Sequence, residues 1–332
     1  MTTKPPGAHM AAEIAQSPQV FASAATARHR APDLTGIRAL YTIARGSSDA
    51  AANILSYEYM RELGLPVTSL PPSIFSIGQG VDMTDSATLV ISQSGASDDL
   101  VRSARGITAR GGTVIAITIV AGSPVEAAAS TTLPSNAGPE LAVPATKSVI
   151  GAIGTGMALL AALKPDYGPR AQADATTFAH LTPTHPSSAA LTSALLRAEH
   201  VYVIGRDTGF GAAHEVALKL KECCALHAEA YSSSEVLHGP LQLVTNPLMI
   251  LMLDTGAPGT GDSMDTAEAR FRAAGATVFR IRPADVGVSD LTPAAAAALL
   301  LYLIYPVILA TAIALGHDPD QPDTLSKVTQ TT

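Results

Sequence analysis

Short β-branched runs alternate with Ala- and Leu-rich stretches of helical length along most of the chain, and this alternation restricts the possible folds more than any other feature. Residues 40–44, 88–91 and 113–118 read as strands, with helices expected over 49–63, 98–110 and 147–163. The second half repeats the theme, with strands at 201–204, 249–253 and 277–281 and helices at 212–225, 263–274 and 293–315. A helix between successive strands carries the chain back to the same end of the sheet, so neighbouring strands run parallel with helices on both faces. The halves also share a segment. Tyr41-Thr42-Ile43-Ala44-Arg45 and Tyr202-Val203-Ile204-Gly205-Arg206 both end in Arg, then pass through small residues into an Ala-rich helix. A duplicated α/β unit accounts for this likeness, with the Pro-, Thr- and Ala-rich residues 165–186 beginning as a connector.

At 332 residues the chain is long enough to bury a core in each of two such units. Apolar residues at 47% against charged residues at 15% exclude intrinsic disorder. A net charge of −7 with no Lys/Arg-rich stretch argues against nucleic-acid binding. The two cysteines, Cys223 and Cys224, are adjacent, which rules out a disulfide framework and fits a reducing, cytoplasmic setting. Neither a metal nor a cofactor is expected. Residues 293–315 carry no charge and could span a bilayer by length, but they contain Pro306 and lack flanking Lys/Arg asymmetry. A buried core helix is the expected reading, with no membrane partner. Residues 1–7 lack the apolar stretch of a signal peptide and read as a loose arm.

Ile91-Ser92-Gln93-Ser94-Gly95-Ala96-Ser97-Asp98-Asp99 joins a predicted strand to a predicted helix. Open α/β sheets bind ligands at the carboxyl ends of their strands, where this turn falls. Hydroxyls at Ser92, Ser94 and Ser97 can donate to phosphate oxygens, and Gly95 allows close backbone approach. The following helix adds free N–H groups and positive potential. Without a lysine, the loop suits a sugar phosphate better than a triphosphate. The plain alternative is that Ser97 only caps the helix. The earlier turn Gly46-Ser47-Ser48 follows the same logic and offers a second wall.

In the second half Glu215, Lys219 and Glu222 share one helix face. An exposed salt-bridge ladder is the plain reading of that face. Downstream, His227, Glu229, Glu235 and His238 crowd into what reads as one turn region, suited to proton transfer or, less well, to a metal. Gly239-Pro240 fixes a turn directly after His238, whereas His227 reads as a structural histidine.

These segments, with Ala137-Gly138-Pro139-Glu140, Ala145-Thr146-Lys147, Ala217-Leu218-Lys219-Leu220-Lys221-Glu222, His227-Ala228-Glu229-Ala230, His238-Gly239-Pro240 and Asp320-Gln321-Pro322 followed by Lys327, run in one order across nearly the whole chain. In that order they resemble the sugar isomerase (SIS) family. The resemblance is to the isomerase half of glutamine–fructose-6-phosphate aminotransferase and its stand-alone glucosamine-6-phosphate deaminase relatives. It implies an α/β fold of two tandem SIS subdomains, each a parallel sheet flanked by helices in three αβα layers. Their expected bounds are residues 34–165 and 191–316, with an arm and helix at 1–33, a connector at 166–190 and an active-site tail at 317–332. It also implies a homodimer with a shared active site and a hexose 6-phosphate as substrate. Ser48, Ser92, Gln93, Ser94 and Ser97 would hold the phosphate, and Val143 would touch the sugar through its backbone. Glu222 would shuttle the proton between the first two carbons, beside Lys219. His238 would open the ring from the neighbouring subunit, and Lys327 would form an imine with the keto sugar. Without the resemblance, Lys327 would read as a solvated tail lysine.

The aminotransferase's glutaminase domain begins with a catalytic Cys, and no Cys precedes Cys223 here, so no glutamine hydrolysis is expected. The expected reaction is interconversion of glucosamine 6-phosphate and fructose 6-phosphate with free ammonia. Rival readings are a fructosamine-6-phosphate deglycase, a galactosamine-6-phosphate deaminase, and a non-catalytic sugar-phosphate-sensing module.

Overall fold

The computed structural model describes residues 4–327, so the first three residues of the expected arm and the last five of the tail lie outside the described residues. The strands are β1 (Ala39–Ile43), β2 (Val67–Ser69), β3 (Ser86–Ser92), β4 (Thr113–Thr118), β5 (Thr131–Pro134), β6 (His200–Gly205), β7 (His227–Ser232), β8 (Leu248–Leu253) and β9 (Thr277–Ile281). The helices are α1 (Ala8–Ala25), α2 (Ser47–Leu63), α3 (Ser73–Ser76), α4 (Asp98–Ala109), α5 (Pro124–Ala127), α6 (Lys147–Leu163), α7 (Gly168–Phe178), α8 (Ser188–Leu195), α9 (Thr208–Cys224), α10 (Gly261–Ala273) and α11 (Pro293–Ala314). They form two units. One comprises residues 18–140 and 147–179; the other comprises residues 4–17, 141–146 and 180–327.

The first unit holds a five-stranded parallel sheet in the order β2-β1-β3-β4-β5. Every residue of β3 is buried, as a central parallel strand covered on both faces requires. One face packs Ile43, Val90, Val114 and Ala116 against Leu100, Ala104 and Ile107 of α4. α2 and α6 lie on the other side, where Tyr59 of α2 donates its hydroxyl to the Gly156 carbonyl of α6 at 2.7 Å. The expected connector is largely helical: α7 starts with Pro169 in its first turn, and its Phe178 stacks on Phe21 at 4.3 Å.

The second unit holds a four-stranded parallel sheet in the order β7-β6-β8-β9, the same 2-1-3-4 arrangement. Tyr202, Ile204, Ile250 and Met252 pack against Met264, Ala267 and Phe271 of α10, while α9 lies along β6 and β7 and α11 packs on α9. α11 has a mean hydropathy of 2.3 over its most apolar window, and 78% of that window is buried inside the protein. The apolar stretch is therefore a core helix. Thr292 caps its N-terminus by accepting from the Ala295 amide at 3.4 Å.

The turn after β1 places Gly46 at φ 55°, ψ −129°, and the turn after β6 places Asp207 at φ 56°, ψ −133°. This conformation is ordinarily reserved for glycine. Its recurrence at the matching position, with matching strand order, bears out the duplication in three dimensions. The turn region expected from His227 onward begins only after a strand. Residues 227–232 form a strand paired with β6 along its full length, so His227 and Glu229 do not sit in a turn. The segment His-Ala-Glu-Ala-Tyr-Ser has no β-branched residue, and its strand conformation comes from the neighbour's hydrogen-bond ladder.

Candidate active site

The order β2-β1-β3 puts the topological switch point of the first sheet between β1 and β3, the place where open parallel sheets open a crevice. The turn after β1 brings Ser48, and the turn after β3 brings Ser92 and Gln93, into one narrow pocket. Thr118, Ser135 and Ser148 complete its polar lining. Gly95 sits at φ 61°, and a Cβ there would fall 2.4 Å from the Cβ of Ser123. Only glycine therefore lets the loop fold this closely. Ser92 accepts from the Gly95 amide at 3.1 Å, and Ser94 from the Ala96 amide at 3.3 Å, which fixes the loop on itself.

Ser97 stands at the N-cap of α4, yet its side chain makes no capping hydrogen bond. The plain capping reading therefore fails, and the hydroxyl has no partner among the described residues. The Ser135 hydroxyl, at 1% exposure, is likewise buried without a partner. Sequence reading did not mark Ser135, because a serine at the end of a short edge strand carries no pattern. The neighbouring loop is held by Glu140, which accepts from the Ser148 amide at 3.1 Å and its hydroxyl at 2.7 Å at the start of α6.

In the second unit the charged face of α9 is turned inward. Glu215 and Lys219 are 0% exposed, whereas the Glu222 side chain keeps 26% of its surface. The exposed-ladder reading is thus overturned: the helix packs this face against α11. Lys219 Nζ lies 3.6 Å from Glu215 Oε1 and donates to Glu222 Oε2. Tyr305 of α11 donates its hydroxyl to Glu215 Oε1 at 3.1 Å. Burial is the largest influence on the Lys219 ammonium and acts to lower its pKa. The carboxylates of Glu215 and Glu222 outweigh it and hold the pKa above the ordinary lysine value. Burial pushes the neighbouring Cys223 thiol up to about 12, so it stays protonated and unreactive.

The C-terminal tail is built into this same unit. Asp320 accepts from the His9 and Met10 amides, both at 2.8 Å, capping α1, and its carbonyl accepts from the Val143 amide at 3.1 Å. The Gly7 amide donates to Asp318 at 3.0 Å, so the expected arm is fastened at its end. Lys327 is not a solvated lysine: it is half-buried and donates from Nζ to the Ala142 carbonyl at 2.6 Å. Val143 and Lys327 are thereby gathered around one loop. His238 follows a short 3-10 turn, is exposed, and has no side-chain partner among the described residues. His227 is exposed beside His200, with their Nδ1 atoms 3.4 Å apart. Among the described residues no three His, Cys, Asp or Glu side chains gather into a metal-holding set.

The SIS domain family model matches residues 33–162 and 194–295. The glutamine–fructose-6-phosphate aminotransferase (isomerizing) of Pyrobaculum aerophilum is 30% identical over 344 residues, covering 96% of this chain and 56% of that protein. The chain spans about half the length of the curated relatives it matches. A candidate phosphosugar isomerase from Silicibacter pomeroyi DSS-3 superposes with a TM-score of 0.80 at 29% identity, covering 94% of this chain and 99% of that one. Glucosamine-6-phosphate deaminase from Thermotoga maritima shares the fold with a TM-score of 0.74 at 20% identity, covering 98% and 100%. With two parallel sheets of matching strand order and a family match over each, the chain belongs to the SIS domain family.

Proposed function

We propose that the chain is a phosphosugar enzyme converting glucosamine 6-phosphate and water into fructose 6-phosphate and ammonia, and the reverse. The observation that carries this reading is Glu222: a carboxylate fixed on one side by a buried, permanently charged ammonium and open to solvent on the other. A 1,2 proton shift needs such a base, held in place but reachable. In this reading the hydroxyls of Ser48, Ser92, Ser94 and Ser97, with Gln93, hold the phosphate. Glu222 takes the C2 proton of the open-chain amino sugar and returns it at C1, leaving an imine at C2. The Lys327 amine adds at C2 and ammonia departs; water then releases the keto sugar. The bond from Lys327 Nζ to the Ala142 carbonyl at 2.6 Å holds this amine beside the loop of Val143. The exposed His238, without a side-chain partner among the described residues, supports a homodimer in which this side chain serves the other copy's site. The two free, buried thiols, Cys223 and Cys224, support a cytoplasmic setting.

The test is ammonia release from a panel of amino-sugar 6-phosphates, including the galactosamine epimer and a fructosamine 6-phosphate. Glucosamine 6-phosphate should be turned over, and Glu222→Gln should lower kcat by about a thousandfold while sugar-phosphate binding persists. Retained turnover in that variant would rule Glu222 out as the base. Release from fructosamine 6-phosphate alone would establish the deglycase reading instead.

A further inference from the structure

One residue, Arg45, ties the turn that carries Ser48 to the first turn of α4, just beyond Ser97. Arg45 follows β1 and precedes Gly46. Its carbonyl accepts from the Ser48 amide at 3.1 Å and the Asp49 amide at 3.4 Å. Its Nε donates to Asp99 Oδ2 at 2.8 Å, in the first turn of α4, just beyond Ser97. Asp99 is 1% exposed, and its other oxygen accepts from the Leu100 amide at 2.9 Å, so both of its oxygens are hydrogen-bonded. Among the described residues Arg45 makes no other side-chain hydrogen bond, and 53% of the side chain is exposed. A guanidinium serving only as counter-ion to a buried carboxylate tends to grip it with two parallel N–H groups. Here one edge is anchored through Nε, and the Nη donors have no acceptor among the described residues.

The surrounding charge gives these donors a purpose. Asp49, Asp98 and Asp99 all lie along the turns that carry Ser48 and Ser97, and a phosphate dianion would be repelled by them. Arg102 answers Asp98 at 2.8 Å, which leaves Arg45 to answer the others. We propose that Arg45 is the cationic phosphate ligand of this pocket, its plane set by Asp99 and its Nη groups taking phosphoryl oxygens beside the serine hydroxyls. The inference rests on the pocket being the phosphate site, and the test separates the two.

The probe is inorganic phosphate, titrated calorimetrically into the full chain at two salt concentrations, with Arg45→Gln and Arg45→Lys compared. Charge-assisted bonds of this kind predict binding weaker by roughly 10- to 100-fold in Arg45→Gln, with a shallower salt dependence. Arg45→Lys, which keeps the charge without the fork, should fall between. Should Arg45→Gln misfold around the stranded Asp99, the Arg45→Gln/Asp99→Asn pair provides the same comparison. Undiminished phosphate binding in a folded Arg45 variant would overturn the role of Arg45 and leave the pocket reading standing. Failure of the unmodified chain to bind phosphate would overturn both.

Discussion

Replacing Lys219 by Met tests how the inward face of α9 is held together. The ammonium is fully buried, 3.6 Å from the equally buried Glu215 and bonded to Glu222. Removing one partner of a buried ion pair costs about 3–5 kcal/mol, because the remaining charge is stranded without solvent. Glu215 would keep the Tyr305 hydroxyl, a neutral donor, at 3.1 Å. Glu222, partly exposed, can be rescued by water. With an m-value of about 2 kcal/mol per M of urea, the midpoint of the unit carrying α9 should fall by roughly 2 M. Far-UV circular dichroism is a suitable probe, since the chain has no Trp. The double variant Glu215→Gln/Lys219→Met removes the stranded charge and should recover at least half of the loss. The pH dependence has a definite sign. An uncompensated buried carboxylate binds protons more readily folded than unfolded, so the Lys219→Met deficit is smallest at low pH and grows as pH rises through the carboxylate range. In the unmodified chain the raised Lys219 pKa contributes stability that is fully present below the ordinary lysine value and is lost only above it. Between pH 5 and pH 8, therefore, the gap between the variant and the unmodified chain should widen as pH rises. Equal midpoints for the variant and the unmodified chain at both pH values would refute the buried counter-ion role.

The tail and the loop offer two further tests. Asp320→Ala removes both amide contacts at the start of α1 and should cost about 1–2 kcal/mol; trypsin cleavage after Lys327, followed by mass spectrometry, should quicken roughly tenfold. An unchanged cleavage rate would mean that Asp320 does not hold the tail. Gly95→Ala and Gly64→Ala both place alanine at positive φ, but only at Gly95 would the new Cβ strike another residue. Urea midpoints should make Gly95→Ala the worse by about 2 kcal/mol, and equal losses would show that the loop yields.

Most of the scaffold could be read before the structure, because parallel strands buried on both faces leave dense β-branched runs. The strand 113–118 and the helix 147–163 match their expected limits. What escaped was written in contacts. β2 and β5 have three and four residues, too short to stand out, and β7 owes its conformation to β6. At the site, the spacing of Glu215, Lys219 and Glu222 was visible, but not which way it faced. An i, i+4, i+7 row looks identical on a solvated helix and on one pressed against an apolar neighbour. Tyr305, lying within a 22-residue apolar helix, carried no sign of its bond to Glu215. In the sequence Arg45 reads only as the end of a repeat, since its side-chain bond is to a carboxylate more than fifty residues away.

The duplication also lets the two halves be compared position by position. Gly46 and Asp207 occupy the same backbone conformation, so Glu58 of α2 corresponds to Lys219 of α9, and Arg61 to Glu222. Both pairs are one helical turn apart, with a tyrosine hydroxyl close by: Tyr167 donates to Glu58 at 2.9 Å, as Tyr305 donates to Glu215. The polarity, however, is reversed. In α2 the carboxylate is buried and the outward partner is the arginine; in α9 the ammonium is buried and the outward partner is the carboxylate. Only α9 presents a base to solvent. The strand registers complete the comparison. Ile43 faces Val90 as Ile204 faces Met252, so the position of Ser92 is taken in the second sheet by Asp254. Asp254 is bound by Arg280 at 2.7 Å, and that arginine also holds Asp265 and Glu268. A carboxylate at the head of that loop, whose arginine is already shared among three acids, disfavours an anion there, whereas the first sheet carries the neutral Ser92. On the proposed function, phosphate binding falls to the first half and proton transfer to the second, so neither SIS unit alone should turn over a sugar phosphate.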